Sequence, residues 1–101
     1  MGQLIPVQWT TTARFDLRRL RAWTERYSGS AGARQQAQRI QRAVESLRDN
    51  PRLGTPVHLS DEDGEVRQLV LVPYVMRYLV EPERLVILRL WHGREGGRGG
   101  A

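Results

Sequence analysis

The apolar positions of this chain change period part-way along, and the change divides it into a helical half and a strand half. Ile5, Val7 and Trp9 alternate with Pro6 and Gln8, the period-two signature of a strand, and Pro6 suits an edge or first-residue position. Ala13, Leu17, Leu20, Thr24 and Tyr27 then recur at spacings of four and three, which is one face of an α-helix. Thr12 is the expected N-cap, and Asp16 in the first turn is favourably placed near the positive helix end. Arg14, Arg18, Arg21 and Glu25 lie on the outer side, and Phe15 sits off the stripe. Ser28-Gly29-Ser30-Ala31-Gly32 is a break, with Ser30 placed to cap a second helix. Ala33, Ala37, Ile40, Val44 and Leu47 form the second stripe, with Arg34, Gln38, Arg42, Glu45 and Arg48 turned away, and Asn50-Pro51 ends it.

After a turn-rich connector over Arg52–Glu65, the pattern becomes β-rich in Val66–Val72, Tyr74–Val80 and Leu85–His92. Pro73 and then Glu81-Pro82-Glu83-Arg84 separate these segments, so an antiparallel meander is the economical topology. The predicted fold class is α+β: an αα-hairpin packed on a four-stranded, mainly antiparallel sheet, in the order β-α-α-β-β-β. One domain is expected over residues 1–95, followed by a flexible Gly/Arg tail over 96–101, the stretch after Gly93 having no apolar residue before Ala101.

Composition narrows the function. A chain of 101 residues holds one core, which excludes a multi-domain enzyme. The absence of cysteine excludes disulfides, thiolate metal sites and a cysteine nucleophile. No apolar run approaches membrane-spanning length and no secretory signal is visible, so a cytoplasmic location and no membrane partner are expected. All sixteen cationic residues are Arg, against eleven acids, giving a net charge of +5 and favouring a polyanionic partner.

Arg67, Arg77 and Arg89 stand inside strands. They are either solvated and paired, or they form a cationic sheet surface that grips phosphates. Period two places Arg77 with Val75 and Leu79, and Arg89 with Ile87 and Trp91. His92, closing the last strand before Gly93, Arg94 and Glu95, offers either a general acid or base at neutral pH or a structural, partner-binding ring. His58 in the connector is expected to be exposed. Neither His has ligand partners at helical spacing, so no metal is expected, and the run Asp61–Glu65 reads as an acidic turn rather than a calcium loop. No glycine loop precedes a helix, which disfavours nucleotide cofactors, and none is expected. Tyr74 and Tyr78 read as core.

Ala13-Arg14-Phe15-Asp16-Leu17, Ala43-Val44-Glu45-Ser46-Leu47, Asn50-Pro51-Arg52-Leu53-Gly54, Val66-Arg67-Gln68-Leu69, Tyr74–Tyr78 and Val86-Ile87-Leu88-Arg89-Leu90-Trp91-His92-Gly93-Arg94 together resemble the RelE/ParE toxins of bacterial type II toxin–antitoxin modules. The resemblance covers about residues 5–95 and matches the order of elements read from the pattern. It implies a small cytoplasmic toxin that inhibits growth until an acidic antitoxin protein wraps it, operator DNA being met only through the antitoxin. The ParE branch implies action on DNA gyrase without catalysis, and the Asn-Pro-x-x-Gly connector and His-Gly-Arg ending fit it. The RelE branch implies ribosome-dependent mRNA cleavage, with Arg67 and His92 as the catalytic pair and Glu95 as a candidate assistant. Against that branch stand the absent lysines and Val75 where many members carry arginine. A non-toxic interaction module is the third reading. In every case Arg67, Arg77, Arg89 and Arg94 are the expected partner- or phosphate-binding residues.

Overall fold

A computed structural model of the chain describes residues 5–58 and 64–98; most of the acidic run Asp61–Glu65 and the end of the expected tail, residues 99–101, lie outside them. The elements are β1 (Val7–Trp9), α1 (Thr11–Asp49), β2 (Thr55–Pro56), β3 (Glu65–Leu71), β4 (Tyr74–Val80), β5 (Leu85–His92) and a 3-10 helix (Gly93–Arg98). The fold is α+β, as expected from the change of period.

α1 consists of two helical arms joined across a kink. A straight helix of 39 residues is about 58 Å long, whereas the longest dimension of the molecule is 38 Å. The chain reverses at Gly29, whose φ of 72° and ψ of −175° interrupt the helical run, in a region that is essentially restricted to glycine. Residues 30–49 fold back on residues 11–28, so that the side-chain amide of Gln36 donates to Thr24 Oγ1 at 2.7 Å and to the Leu20 carbonyl at 3.4 Å. This is the expected αα-hairpin, turned by one residue.

The helix cap lies two residues before the expected one. Thr10, not Thr12, accepts from the Ala13 amide at 3.0 Å, and its hydroxyl donates to the Leu88 carbonyl at 3.1 Å. Three consecutive threonines offered three frames, and the contact with β5 selects among them. At the other end Asn50 caps α1 through its own amide, donated to Ser46 O at 2.9 Å.

The sheet has five strands, in the order β1-β5-β4-β3-β2, rather than four. β2 lies inside the expected connector and pairs Thr55 with Gln68 and Pro56 with Arg67. Two residues are too few to show a period, and Pro56 is tolerated because β2 is an edge. β1 pairs with β5 in parallel, and the other pairings are antiparallel. The three long strands fall within one residue of their expected bounds.

The core lies between the hairpin and one sheet face. Leu20, Ile40, Val44 and Leu47 meet Tyr74, Met76, Tyr78, Leu85, Ile87 and Leu90. Tyr27 and Ala37 leave the expected stripes and are exposed, while the polar Asp16 and Gln36 enter the interior. The registers on either side of Arg77 and Tyr78 differ by one residue: Tyr78 faces Ile87, but Arg77 faces Arg89, leaving Leu88 without a counterpart. This bulge puts Ile87 and Arg89 on opposite faces, which corrects the expectation that they share one. Trp91, paired with Val75, does share the outer face with Arg77. None of the described helices is long and apolar enough to cross a membrane.

A Cβ at Gly29 would meet nothing within 4 Å, so the cost of adding one is purely conformational. Gly29→Ala is expected to lower unfolding stability by about 1–3 kcal/mol without changing the denaturant slope. Urea titration of both proteins checks this, and an unchanged midpoint would remove Gly29 as the reason for the reversal.

Candidate functional site

β1 ends opposite Ile87, leaving the rest of the β5 edge without a partner strand. The start of α1 takes over. The Thr10 amide donates to Ile87 O at 3.1 Å, the Thr10 hydroxyl to Leu88 O, and nearly two turns further on Asp16 Oδ2 accepts the Leu90 amide at 2.9 Å. A carboxylate side chain only 6% exposed requires charge compensation. Arg89 supplies it from the strand, with Nε and Nη2 at 2.9 and 3.2 Å, and Arg19 from the next helical turn at 3.2 Å. Burial pushes the Asp16 carboxyl upward, but the bonds from Arg89, the Leu90 amide and Arg19 outweigh it and hold it below its ordinary value. Burial lowers Arg19, but its bonds to Glu95 and then to Asp16 raise it overall, and the bond to Asp16 raises Arg89 against the effect of its burial.

Arg19 extends this cluster to the end of the chain. Its Nη1 donates to Glu95 Oε1 at 2.6 Å, and that oxygen also accepts the His92 amide at 3.2 Å. The turn that leads into the expected tail over 96–101 is therefore anchored at Glu95. His92 Nδ1 accepts the Arg94 amide at 3.0 Å, so a neutral ring carries its proton on Nε2. The ring lies 5.7 Å from Tyr74, edge-on, and 6.0 Å from Trp23, which in turn sits 4.7 Å from Tyr27. Arg19, Leu20, Trp23, His92, Arg94 and Glu95 enclose a cavity of about 290 Å³. Below it, Gln36 donates to the Tyr74 hydroxyl at 2.8 Å and ties the second arm of α1 to β4.

The sequence-predicted residues are not gathered in one place. Arg67 lies on the helix-facing side of β3, opposite Tyr78. Its Nη1 donates to Gly54 O at 2.6 Å and its Nε to Glu65 Oε2 at 2.9 Å. Glu65 also accepts from Arg52, and these two guanidiniums, Arg67 first, hold its carboxyl below the usual range. Tyr78 completes that end of the sheet, its hydroxyl accepting the Gly54 amide at 2.9 Å and donating to Pro51 O at 2.8 Å. His92 pairs with Tyr74, at the other end of β4 and two strands from Arg67. Arg67 and His92 are thus separated by about 13 Å along the strands and about 10 Å across them.

Arg77 and Arg89 are neighbours, but neither presents an open guanidinium. Arg89 is bound to Asp16. Arg77 is buried on the outer face, 5.2 Å above the Trp91 ring, and donates to Gln68 Oε1 at 3.0 Å. Burial and then the nearby Arg89 depress its pKa. Of the four expected partner-binding arginines, Arg94 is the exposed one, and it lines the cavity with His92. His58 is exposed as expected. Sequence reasoning missed Asp16, Arg19, Trp23 and Gln36 as site-forming residues. The available signal was a polar residue at a core-facing helical position, Asp16 one turn before Leu20 and Gln36 one turn before Ile40.

The helical hairpin on a five-stranded mixed sheet matches the RelE/ParE-like fold of type II toxin–antitoxin modules. Within that class the chain belongs to the family described as the ParE toxin of the type II toxin–antitoxin system parDE, which it matches over residues 7–96. Among solved structures, a chain of the chromosomal ParDE toxin–antitoxin system from P. aeruginosa is similar with a TM-score of 0.70 and 25% identity, covering 90% of this chain and 98% of that one. A chain of the toxin–antitoxin complex RelBE2 from Mycobacterium tuberculosis gives 0.61 and 26% identity, covering 89% and 99%. The search of curated proteins finds no match.

Because the folded-state pKa of Asp16 is depressed, its contribution to stability is complete above the unfolded value near 3.8 and disappears as pH falls through the lower folded value. Asp16→Asn is expected to cost about 2–4 kcal/mol at pH 7 and to shrink the acid limb of the stability profile. Denaturant midpoints between pH 2 and 7 (roughly the span over which carboxylates titrate) check this. Wild-type and variant profiles of the same shape would show that Asp16 does not carry the acid sensitivity.

Proposed function

We propose that this chain is a cytoplasmic, non-enzymatic toxin that inhibits growth by binding DNA gyrase, and that an acidic antitoxin holds it inactive. One observation carries the reading: the arginine and histidine that a nuclease mechanism would use lie at opposite ends of the sheet, and Arg67 is engaged by Gly54 O and Glu65. General acid–base and phosphate-orienting groups must reach the same few atoms, within about 3 Å of their targets. A separation several times larger removes the cooperation. The family match, which is to ParE rather than RelE, supports the same branch. Binding needs only a rigid surface of complementary charge, which a +5 chain with an anchored C-terminal turn supplies.

Messenger RNA cleavage is the second reading, favoured by the likeness to the RelBE2 chain and by His92, whose Nδ1 accepts the Arg94 amide so that Nε2 is the nitrogen left to act on a substrate. The two readings separate in cells. Expression without an antitoxin is expected to arrest growth, raise DNA-damage signalling and accumulate cleaved gyrase–DNA complexes, while mapped 5′ ends of translated messages stay unchanged. New 5′ ends that vanish in His92→Ala would reverse the assignment. Harmless expression would leave only the interaction-module reading.

A further inference from the structure

We infer that the cavity between Trp23 and His92 is an anchor pocket for a bulky aliphatic side chain carried on an acidic, extended peptide. The inference rests on the toxin–antitoxin reading for the source of that peptide, the antitoxin. The hollow of about 290 Å³ is large enough for a leucine or isoleucine side chain, and its wall is mainly the Trp23 ring, Leu20 and the face of His92. Trp23 is 50% exposed and its neighbour Tyr27 66% exposed. Two large rings held against each other at the surface are apolar area that the fold itself does not cover.

The polar rim identifies the rest of the ligand. Arg94 is exposed at the mouth, and the one carboxylate there, Glu95, is already bound by Arg19. What faces an incoming segment is therefore positive. The rim continues beyond His92 and Arg94 into a second shallow hollow containing the exposed Val72, whose carbonyl is held by Arg39 at 2.6 Å. An extended chain crossing the His92–Arg94 ridge would meet apolar surface on both sides and guanidiniums along its path, the pattern that an acidic peptide with spaced aliphatic residues complements.

Ring geometry argues for an aliphatic group over a nucleobase. Trp23 is tilted 45° from Tyr27 and 51° from His92, and His92 stands at 90° to Tyr74. None of these three contacting pairs makes the parallel slot that clamps a base. An irregular hollow instead suits a branched side chain, which fills space without needing a plane. The pocket is also preformed, because Asp16, Arg19 and Glu95 fix its C-terminal wall before any ligand arrives.

The test is a solution NMR titration of the full chain with a capped pentapeptide of four acidic residues around a central leucine, and with the same peptide carrying a central alanine. The leucine peptide is expected to shift the Trp23 indole and the His92 and Arg94 amides, and to bind roughly tenfold tighter than the alanine peptide. Trp23→Ala, at a half-exposed position, should erase that difference while leaving the remaining spectrum in place, and Arg94→Glu should weaken both peptides. Equal binding of the two peptides, or shifts centred elsewhere, would overturn the pocket. So would a thymidine oligonucleotide that shifts the same signals and displaces the leucine peptide. Growth arrest is measured separately, so a chain that arrests growth but does not discriminate leucine from alanine refutes the pocket alone. A chain that discriminates but does not arrest growth refutes the toxin reading and leaves the pocket standing as a peptide site.

Discussion

The architecture depends on one buried carboxylate. β5 needs an acceptor for its Leu90 amide where β1 has already ended, and a neutral acceptor from a helix side chain would meet that need alone. Asp16 does more, because its charge also draws Arg89 from the strand and Arg19 from the helix into fixed positions. A single anion buried without those cations would be strongly unfavourable, and the cations without it would leave the edge open. The helix, the sheet edge and the C-terminal turn are consequently specified together.

The consequence for function is positional. Through Arg19, the Asp16 cluster reaches Glu95, and Glu95 in turn holds the His92 amide. Arg94 and Glu95, at the start of the glycine- and arginine-rich stretch that follows the last strand, become a defined wall beside Trp23. The arginines divide accordingly. Arg14, Arg18 and Arg21 lie on the outer helix surface, Arg67 and Arg89 bind internal oxygen atoms, and Arg94 faces outward beside the aromatic cluster. Net charge favours an anionic partner, and Arg94, exposed next to apolar surface, marks the place proposed for its docking.

Most of the fold was legible because burial on one side imposes a period. The three long strands and both helical arms announce themselves through Val66–Val72, Tyr74–Val80, Leu85–His92 and the two aliphatic stripes, and the structure reproduces them closely. β2 was not legible, since two residues carry no period. The bulge at Leu88 was not legible either: a one-residue shift in pairing leaves the run Leu85–His92 looking uniformly strand-like while exchanging the faces of everything beyond it. Asp16 was legible only as an acid near the positive helix end, and Gln36 carried no reading, because a polar residue facing the core gives no signal along the chain unless its partners are known.

By itself the sequence determined the class of fold, the chain's own positive charge and the family resemblance, all of which follow from local periodicity, composition and ordered motifs. Only the tertiary structure decided that Arg67 and His92 are far apart, that Arg77 and Arg89 are internally engaged, and that Arg94, Trp23 and His92 share a pocket. The physical reason is that these relations are set by strand register and by one charge cluster joining residues more than seventy positions apart in the chain. Spacing along the chain encodes which face a residue occupies within its own element. It carries no record of which end of the sheet that face will meet.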